Sequence, residues 1–310
     1  MKKLDWTKLS VIFPMTFICC FLWGSAFPSV KIGYRLFAIA SDDSATQLLF
    51  AGMRFSLSGV LVLLIASLGA HKPALPKASS WKYVIPLGLV QTTGQYIFFY
   101  IGLAHTSGVK SSIIVASSTF FAIFFAVFLF HQEKLAFRKI LGCLVGFSGV
   151  VLIQLAGGNS FELSFAANGE GFILLSAMMY ALSSGMVKNF SRNEDPVLLS
   201  GAQFIFGGII LILVGLGLGG RLTVIKPLGL LLLLYMAMIS AVAYSLWSIL
   251  LKYNPVSRIT VYGFLNPVIG VILSAILLKE QNQAFSIYGL LSLLLVSMGI
   301  IIVNKSNAKS

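Results

Sequence analysis

Residues 52–61 read Gly-Met-Arg-Phe-Ser-Leu-Ser-Gly-Val-Leu and residues 201–210 read Gly-Ala-Gln-Phe-Ile-Phe-Gly-Gly-Ile-Ile, so Gly52, Phe55 and Gly59 return 149 positions later as Gly201, Phe204 and Gly208. The motif lies within a series of ten apolar runs, at 10–33, 46–69, 82–104, 110–131, 139–156, 170–190, 197–219, 227–251, 258–278 and 286–303. Each run approaches the roughly 20 residues that a membrane-crossing helix needs. A duplicated chain with five crossings per copy must place its second copy upside down relative to the first. The expected fold is therefore an all-α integral membrane bundle of ten transmembrane helices in two inverted five-helix repeats, residues 1–156 and 157–310.

Hydrophobic residues make up 58% of the 310 positions and charged residues 10%, with a mean hydropathy of +0.95, so lipid rather than water is the surrounding solvent. The stretches between runs are too short for a soluble catalytic domain. Cys19, Cys20 and Cys143 fall inside apolar runs as small hydrophobes and offer neither a disulfide framework nor metal-ligand spacing. No metal or cofactor is called for. A basic start followed by Gly24-Ser25-Ala26 imitates a signal peptide, but the apolar run continues past Ala26 and has a counterpart in the second half, so it is expected to stay.

The net charge of +13 reads as topology rather than nucleic-acid binding. With the N-terminus placed in the cytoplasm, 15 Lys and Arg fall in inside loops and tails and 6 in outside ones, with Arg54 left within a segment. Positive residues are retained inside, so both termini are expected to face the cytoplasm, with inside charges near anionic lipid.

The repeat can be followed helix by helix. Segment 1 aligns with segment 6 at an offset of 157, placing Trp23 on Tyr180. Segments 3 and 4 align with 8 and 9 at 147, placing Tyr100 on Trp247, Thr119 on Asn266, Glu133 on Glu280 and Gly142 on Gly289.

These residues resemble the drug/metabolite transporter superfamily, specifically its ten-helix EamA-type members. The likeness rests on Leu22-Trp23-Gly24-Ser25-Ala26-Phe27 with Lys31, on Met53-Arg54-Phe55, and on Glu133-Lys134-Leu135. Gly142 to Gly149, Phe264-Leu265-Asn266-Pro267-Val268 and Lys279-Glu280 extend it over nearly the whole chain. The resemblance implies a carrier in the cell membrane with a central cavity lined mostly by segments 3, 4, 8 and 9, alternating access, and export as the default direction. Members often carry a proline in segment 4 where this chain has Thr119-Phe120.

Read without the family, polar groups and helix breakers mark where a site can form, because such groups are tolerated at membrane depth only against protein or a water-filled cavity. Pro267 with Asn266 marks segment 9, either as cavity lining or as a packed kink. In segment 3, Gln91 and Gln95 lie one turn apart, as do Tyr96 and Tyr100, each pair sharing a face. Tyr244 and Trp247 answer in segment 8, and Ser118 and Thr119 in segment 4, where small polar residues also serve as packing glue. Trp23 and Tyr180 either pave the cavity or pack across the pseudo-twofold axis.

No carboxylate occupies a helix centre, which disfavours a buried proton relay and points to facilitated diffusion or exchange. Glu133 and Glu280 read as caps of the following helix paired with nearby cations, or as gates or proton sites. Arg54 reads as a counter-charge for an anionic substrate group, or as a cation snorkelling to the outer surface or bonding helix-end carbonyls; its neutral mate Gln203 favours a local structural task. Enzyme motifs fail on inspection. Gly146-Phe147-Ser148-Gly149 has no histidine at its depth to activate a serine, and no Walker-type phosphate loop occurs. A cavity of Tyr, Trp, Phe, Gln and Asn without central charge suits a neutral, zwitterionic or aromatic solute such as an amino acid or nucleobase. A non-transporting membrane sensor or assembly subunit is the alternative. The expected partners are a small-molecule substrate and the bilayer, with no nucleic acid; the sequence leaves the oligomeric state open, a monomer sufficing.

Overall fold

A computed structural model of the chain describes residues 5–132, 134–153 and 166–305. Ten helical spans follow one another: α1 (Leu9–Leu36), α2 (Ser44–Ala70), α3 (Ala78–His105), α4 (Gly108–Leu129), α5 (Phe137–Leu152), α6 (Ala167–Phe190), α7 (Pro196–Gly217), α8 (Pro227–Tyr253), α9 (Arg258–Leu278) and α10 (Ile287–Lys305). Eight are long and apolar enough to cross a membrane, while α5 and α10 are shorter at 16 and 19 residues. Among the described residues there is no strand. The outer faces are greasy: Phe137, Leu68 and Leu144 are 77%, 74% and 65% exposed, an arrangement that only a lipid solvent makes favourable. The expected boundary between halves, at 156 and 157, lies outside the described residues.

Helix starts follow ordinary capping chemistry. The Asp43 carboxylate accepts from Thr46 N at 2.9 Å to open α2, and that of Asp195 accepts from Val197 N and Leu198 N to open α7, with Pro196 in the first turn where its missing N–H costs nothing.

The two halves dock by the pairing that an inverted repeat requires. α1 packs on α8 and α9, and its mate α6 packs on α3 and α4; α2 packs on its own mate α7, and α5 on α10. The glycines of the repeated motif make the central crossing. A Cβ at Gly52 would lie 2.7 Å from Gly208 O, and one at Gly59 2.5 Å from Gly201 O, so early residues of α2 meet late residues of α7 and the helices run antiparallel. Small residues let backbones touch where lipid supplies no hydrophobic drive to associate. α5 and α10 use the same device, with Gly149 against Ser292 O and Gly299 against Gly142 O.

Four spans depart from regular α geometry; α6 does so only at its start, a π-helical turn over Ala167–Gly171, and the other three wall the centre of the molecule. α3 passes through a π-helical stretch at Gly88–Gly94. α4 breaks at Ala116–Ser117, where the N–H groups of Ala116, Ser117 and Thr119 each bond a carbonyl three residues back. α9 tightens into a 3-10 turn at Val261–Phe264. At the repeat offset of 147, Ala116 and Ser117 fall on Gly263 and Phe264, so a matched break exists although α4 has no proline. Pro267 stands in the first turn of the α-helix that follows the 3-10 turn, a position where proline is readily accommodated. By contrast, α1 runs unbroken through Pro14 and Pro28.

Glu280 does cap a helix, but not the following one as expected. Its carboxylate accepts from Gly108 N at 3.2 Å and Val109 N at 2.9 Å, closing the first turn of α4 from the opposite half, while the short helix that follows takes no side-chain bond from it. The free N–H groups and positive end of α4 attract the carboxylate more strongly than a four-residue helix can. Glu280→Ala is expected to lower stability by about 1–2 kcal/mol, read as a fall in melting temperature of the purified protein, and Glu280→Gln by less. Glu133, its mate, lies outside the described residues.

Candidate functional site

A cavity opens near the middle of the bundle, between the halves. Its wall is built from both. From the first half come Trp23 of α1, Arg54 of α2, Gln95 and Tyr96 of α3, and Ser118 and Thr119 of α4. The second half supplies Tyr180 of α6, Tyr244 and Trp247 of α8, and Asn266 of α9.

The aromatic wall centres on Trp23, whose ring meets Trp247 at 4.9 Å, Tyr244 at 5.2 Å and Tyr180 at 5.8 Å, all edge-on. Edge-to-face contacts of this kind fix ring orientation as well as burying area. Trp23 and Tyr180 therefore do both things the sequence left open: they line the cavity and pack on each other across the pseudo-twofold axis. Polar connections tie the wall together, with the Tyr96 and Tyr244 hydroxyls 2.6 Å apart and Gln95 Nε2 donating to Tyr244 OH at 3.2 Å. Thr119 donates to Thr260 O at 3.5 Å, joining the two matched breaks.

Several polar atoms of this wall are buried without any hydrogen-bond partner: Trp23 Nε1, Trp247 Nε1, Gln95 Oε1, Tyr180 OH and Asn266 Oδ1. Buried polar groups are normally paired, and five unpaired ones on the lining residues of a single cavity mark a surface that gains by meeting a polar solute.

Two sequence expectations place differently. Gln91 does not line the cavity; its Nε2 donates to Ser183 Oγ and its Oε1 accepts from Gln203 Nε2, both at 3.1 Å, locking α3 to α6 and α7. The π stretch rotates it off the Gln95 face, since one turn there holds more than four residues. Tyr100 is fully buried behind the wall, where its hydroxyl accepts from Arg54 Nη1 at 3.1 Å and its ring packs on Tyr34 and Phe50.

Arg54 does not snorkel. It is 1% exposed, with Nε donating to Met236 O at 3.1 Å, Nη2 to Ser240 Oγ at 2.9 Å, and its guanidinium carbon 4.9 Å from the Phe55 ring centre. The premise of a cavity without central charge is thereby corrected: among the described residues one cation borders it, and no carboxylate does. Further lining residues were not anticipated, chiefly Ala26, Phe27, Phe99, Ser176, Ala177 and Thr260. Helical spacing contained the signal, because Ala26 and Phe27 follow Trp23 by three and four residues, and Ser176 and Ala177 precede Tyr180 by four and three.

Inverted five-helix halves closing on a central polar and aromatic cavity define a multi-pass membrane protein of the transporter class. The chain belongs to the EamA-like transporter family, whose model matches residues 11–155 and 167–305, and through it to the drug/metabolite transporter superfamily. It is similar to the uncharacterized transporter YvbV of Bacillus subtilis, 26% identical over 313 residues that cover 100% of this chain and 96% of that one. The uncharacterized inner membrane transporter YedA of Escherichia coli K12 is 26% identical, covering 86% and 82%. A WAT1-related chloroplastic protein of Arabidopsis thaliana is 25% identical, covering 92% and 66%. One solved crystal structure shares the fold with a TM-score of 0.71 at 18% identity, covering 98% of this chain and all of that one.

Proposed function

We propose that the protein is a secondary carrier that moves a small organic metabolite across the cytoplasmic membrane by alternating access, with export as its direction and both termini in the cytoplasm. The observation that carries this reading is the cavity at the seam of the halves, with unpaired polar atoms from both on its wall. A site shared by two halves that dock through narrow glycine seams can be exposed to either side by rocking one half on the other. The cavity suits an amino acid, a nucleobase or a related zwitterionic or aromatic solute, held without a metal or cofactor by a monomer. With no carboxylate on the wall among the described residues, facilitated diffusion or exchange fits better than proton coupling, and the protein is not an enzyme.

Purified protein in liposomes, supplied with radiolabelled amino acids, nucleobases and sugars with and without a pH gradient, tests the reading. Saturable uptake is expected for at least one member, independent of the gradient. Asn266→Ala and Gln95→Ala each remove one unpaired carbonyl of the wall and are expected to cut that uptake about tenfold, in line with the 1–3 kcal/mol attached to a single buried polar contact. Uptake unchanged in both variants would move the site elsewhere.

A further inference from the structure

Arg54 stands out once its partners are compared with those of its repeat mate. Gln203 braces α7 to α3 by accepting from Thr92 Oγ1 and donating to Gln91 Oε1. Arg54 braces α2 to α8, the mate of α3, through Met236 O and Ser240 Oγ. The two residues perform the same bracing on opposite sides of the pseudo-twofold axis, and a neutral amide suffices for one of them. Packing therefore does not require the positive charge of Arg54.

That charge is also uncompensated. The hydrogen-bond partners of the guanidinium are a carbonyl and two hydroxyls, the Phe55 ring beside it is neutral too, and among the described residues neither ion pair of the protein involves it. A guanidinium carries five N–H donors and stays protonated in proteins, and three of the five are engaged. Its desolvation is already incurred on folding, so an anion brought beside it gains attraction without a second penalty on the cation. The planar fork matches a carboxylate. It borders the same cavity as the indole N–H groups of Trp23 and Trp247, further donors with no partner.

We propose that Arg54 is the anion-recognition residue of this cavity and that the cargo carries a single carboxylate, seated toward Arg54, on an aromatic or other planar apolar body packed against Trp23, Tyr244 and Trp247. One cation on the wall selects a monocarboxylate over a dicarboxylate. The assignment rests on the carrier reading for its transport step, though not for its binding step, and the test separates them.

The probes are N-acetyl-L-phenylalanine and N-acetyl-L-phenylalaninamide, which differ by a carboxylate against its neutral isostere. Binding to the full chain in lipid nanodiscs is followed by quenching of tryptophan fluorescence, and transport by counterflow in proteoliposomes. Wild type is expected to bind the acid at least tenfold more tightly than the amide. Arg54→Gln should bring the acid down to the amide's affinity and leave the amide unchanged, whereas Arg54→Lys should keep part of the preference. Equal binding of acid and amide by wild type, binding of neither, or a parallel loss of both in Arg54→Gln would overturn the assignment and leave Arg54 a brace. Should Arg54→Gln fail to fold, the wild-type comparison decides alone. Acid-selective binding without counterflow retires the carrier and keeps the assignment; counterflow of both probes at one rate does the reverse.

Discussion

Gly208→Leu is expected to yield little folded protein, and what folds should melt far below wild type. A Cβ at this position would lie 2.6 Å from the backbone N of Ser56 and 3.0 Å from Gly52 O. Those are backbone atoms of a facing helix, so no rotamer change relieves the clash and α2 must draw away from α7. Overpacking a well-filled site costs about 1–3 kcal/mol when side chains can yield, and here they cannot. The loss would spread, because the α2–α7 crossing holds Arg54 and Gln203 at the depth where each bonds the opposite half. Gly217→Leu is the control on the same helix: a Cβ there meets no atom within 4 Å, and its leucine would face lipid. The check is the monodisperse fraction on size exclusion and the melting temperature of both variants. A Gly208→Leu protein as abundant and heat-stable as Gly217→Leu would mean that the seam does not hold the halves together.

The same glycines explain why so much of the fold could be read from the chain. Gly52 and Gly59 recur as Gly201 and Gly208 because an antiparallel crossing of two repeat mates needs small residues at both ends of both helices, so a packing demand is written twice. The cavity wall was legible for a related reason. Gln95, Tyr96, Tyr244, Trp247 and Asn266 are polar or amphipathic residues where lipid contact is costly, and they converge on one cavity. What stayed hidden depends on geometry that residue types do not announce. Gln91 and Gln95 share a face only in a regular α-helix, and no residue in Gly88–Gly94 declares the π turn that separates them. Likewise, Ala116–Ser117 contains no breaker, and its turn becomes visible only through the tighter stretch at its mates in α9. The burial of Arg54 depends on acceptors at Met236 and Ser240, more than 180 positions away. Local sequence gave that cation every reason to reach for the surface.

Lys110→Met is expected to be the most destabilising exchange outside the glycine seams. Lys110 Nζ lies 3.6 Å from Glu170 Oε1, with side chains only 9% and 6% exposed. The carboxylate also accepts from Thr106 Oγ1 at 2.8 Å and from Ala166 N at 2.9 Å. This cluster joins the start of α4 to the start of α6 at the end of the bundle where Glu280 caps α4, so two acids of the second half, Glu170 and Glu280, grip the same turn of the first. Methionine fills the volume of lysine but strands the carboxylate with two neutral donors. Removing one partner of a buried pair costs about 3–5 kcal/mol, whereas replacing both is often neutral. The double variant Lys110→Met/Glu170→Gln should therefore recover most of what the single one loses, because glutamine keeps a carbonyl oxygen for the Ala166 N–H and can donate its amide N–H to the Thr106 hydroxyl, which accepts as well as donates, without a charge to compensate. Melting temperatures of the two singles and the double form a cycle that isolates the coupling. Additive losses would show that the ion pair contributes nothing to closing this end. A coupling of several kcal/mol would make it the strongest polar contact that the proposed rocking motion has to break before a solute in the cavity can leave on that side.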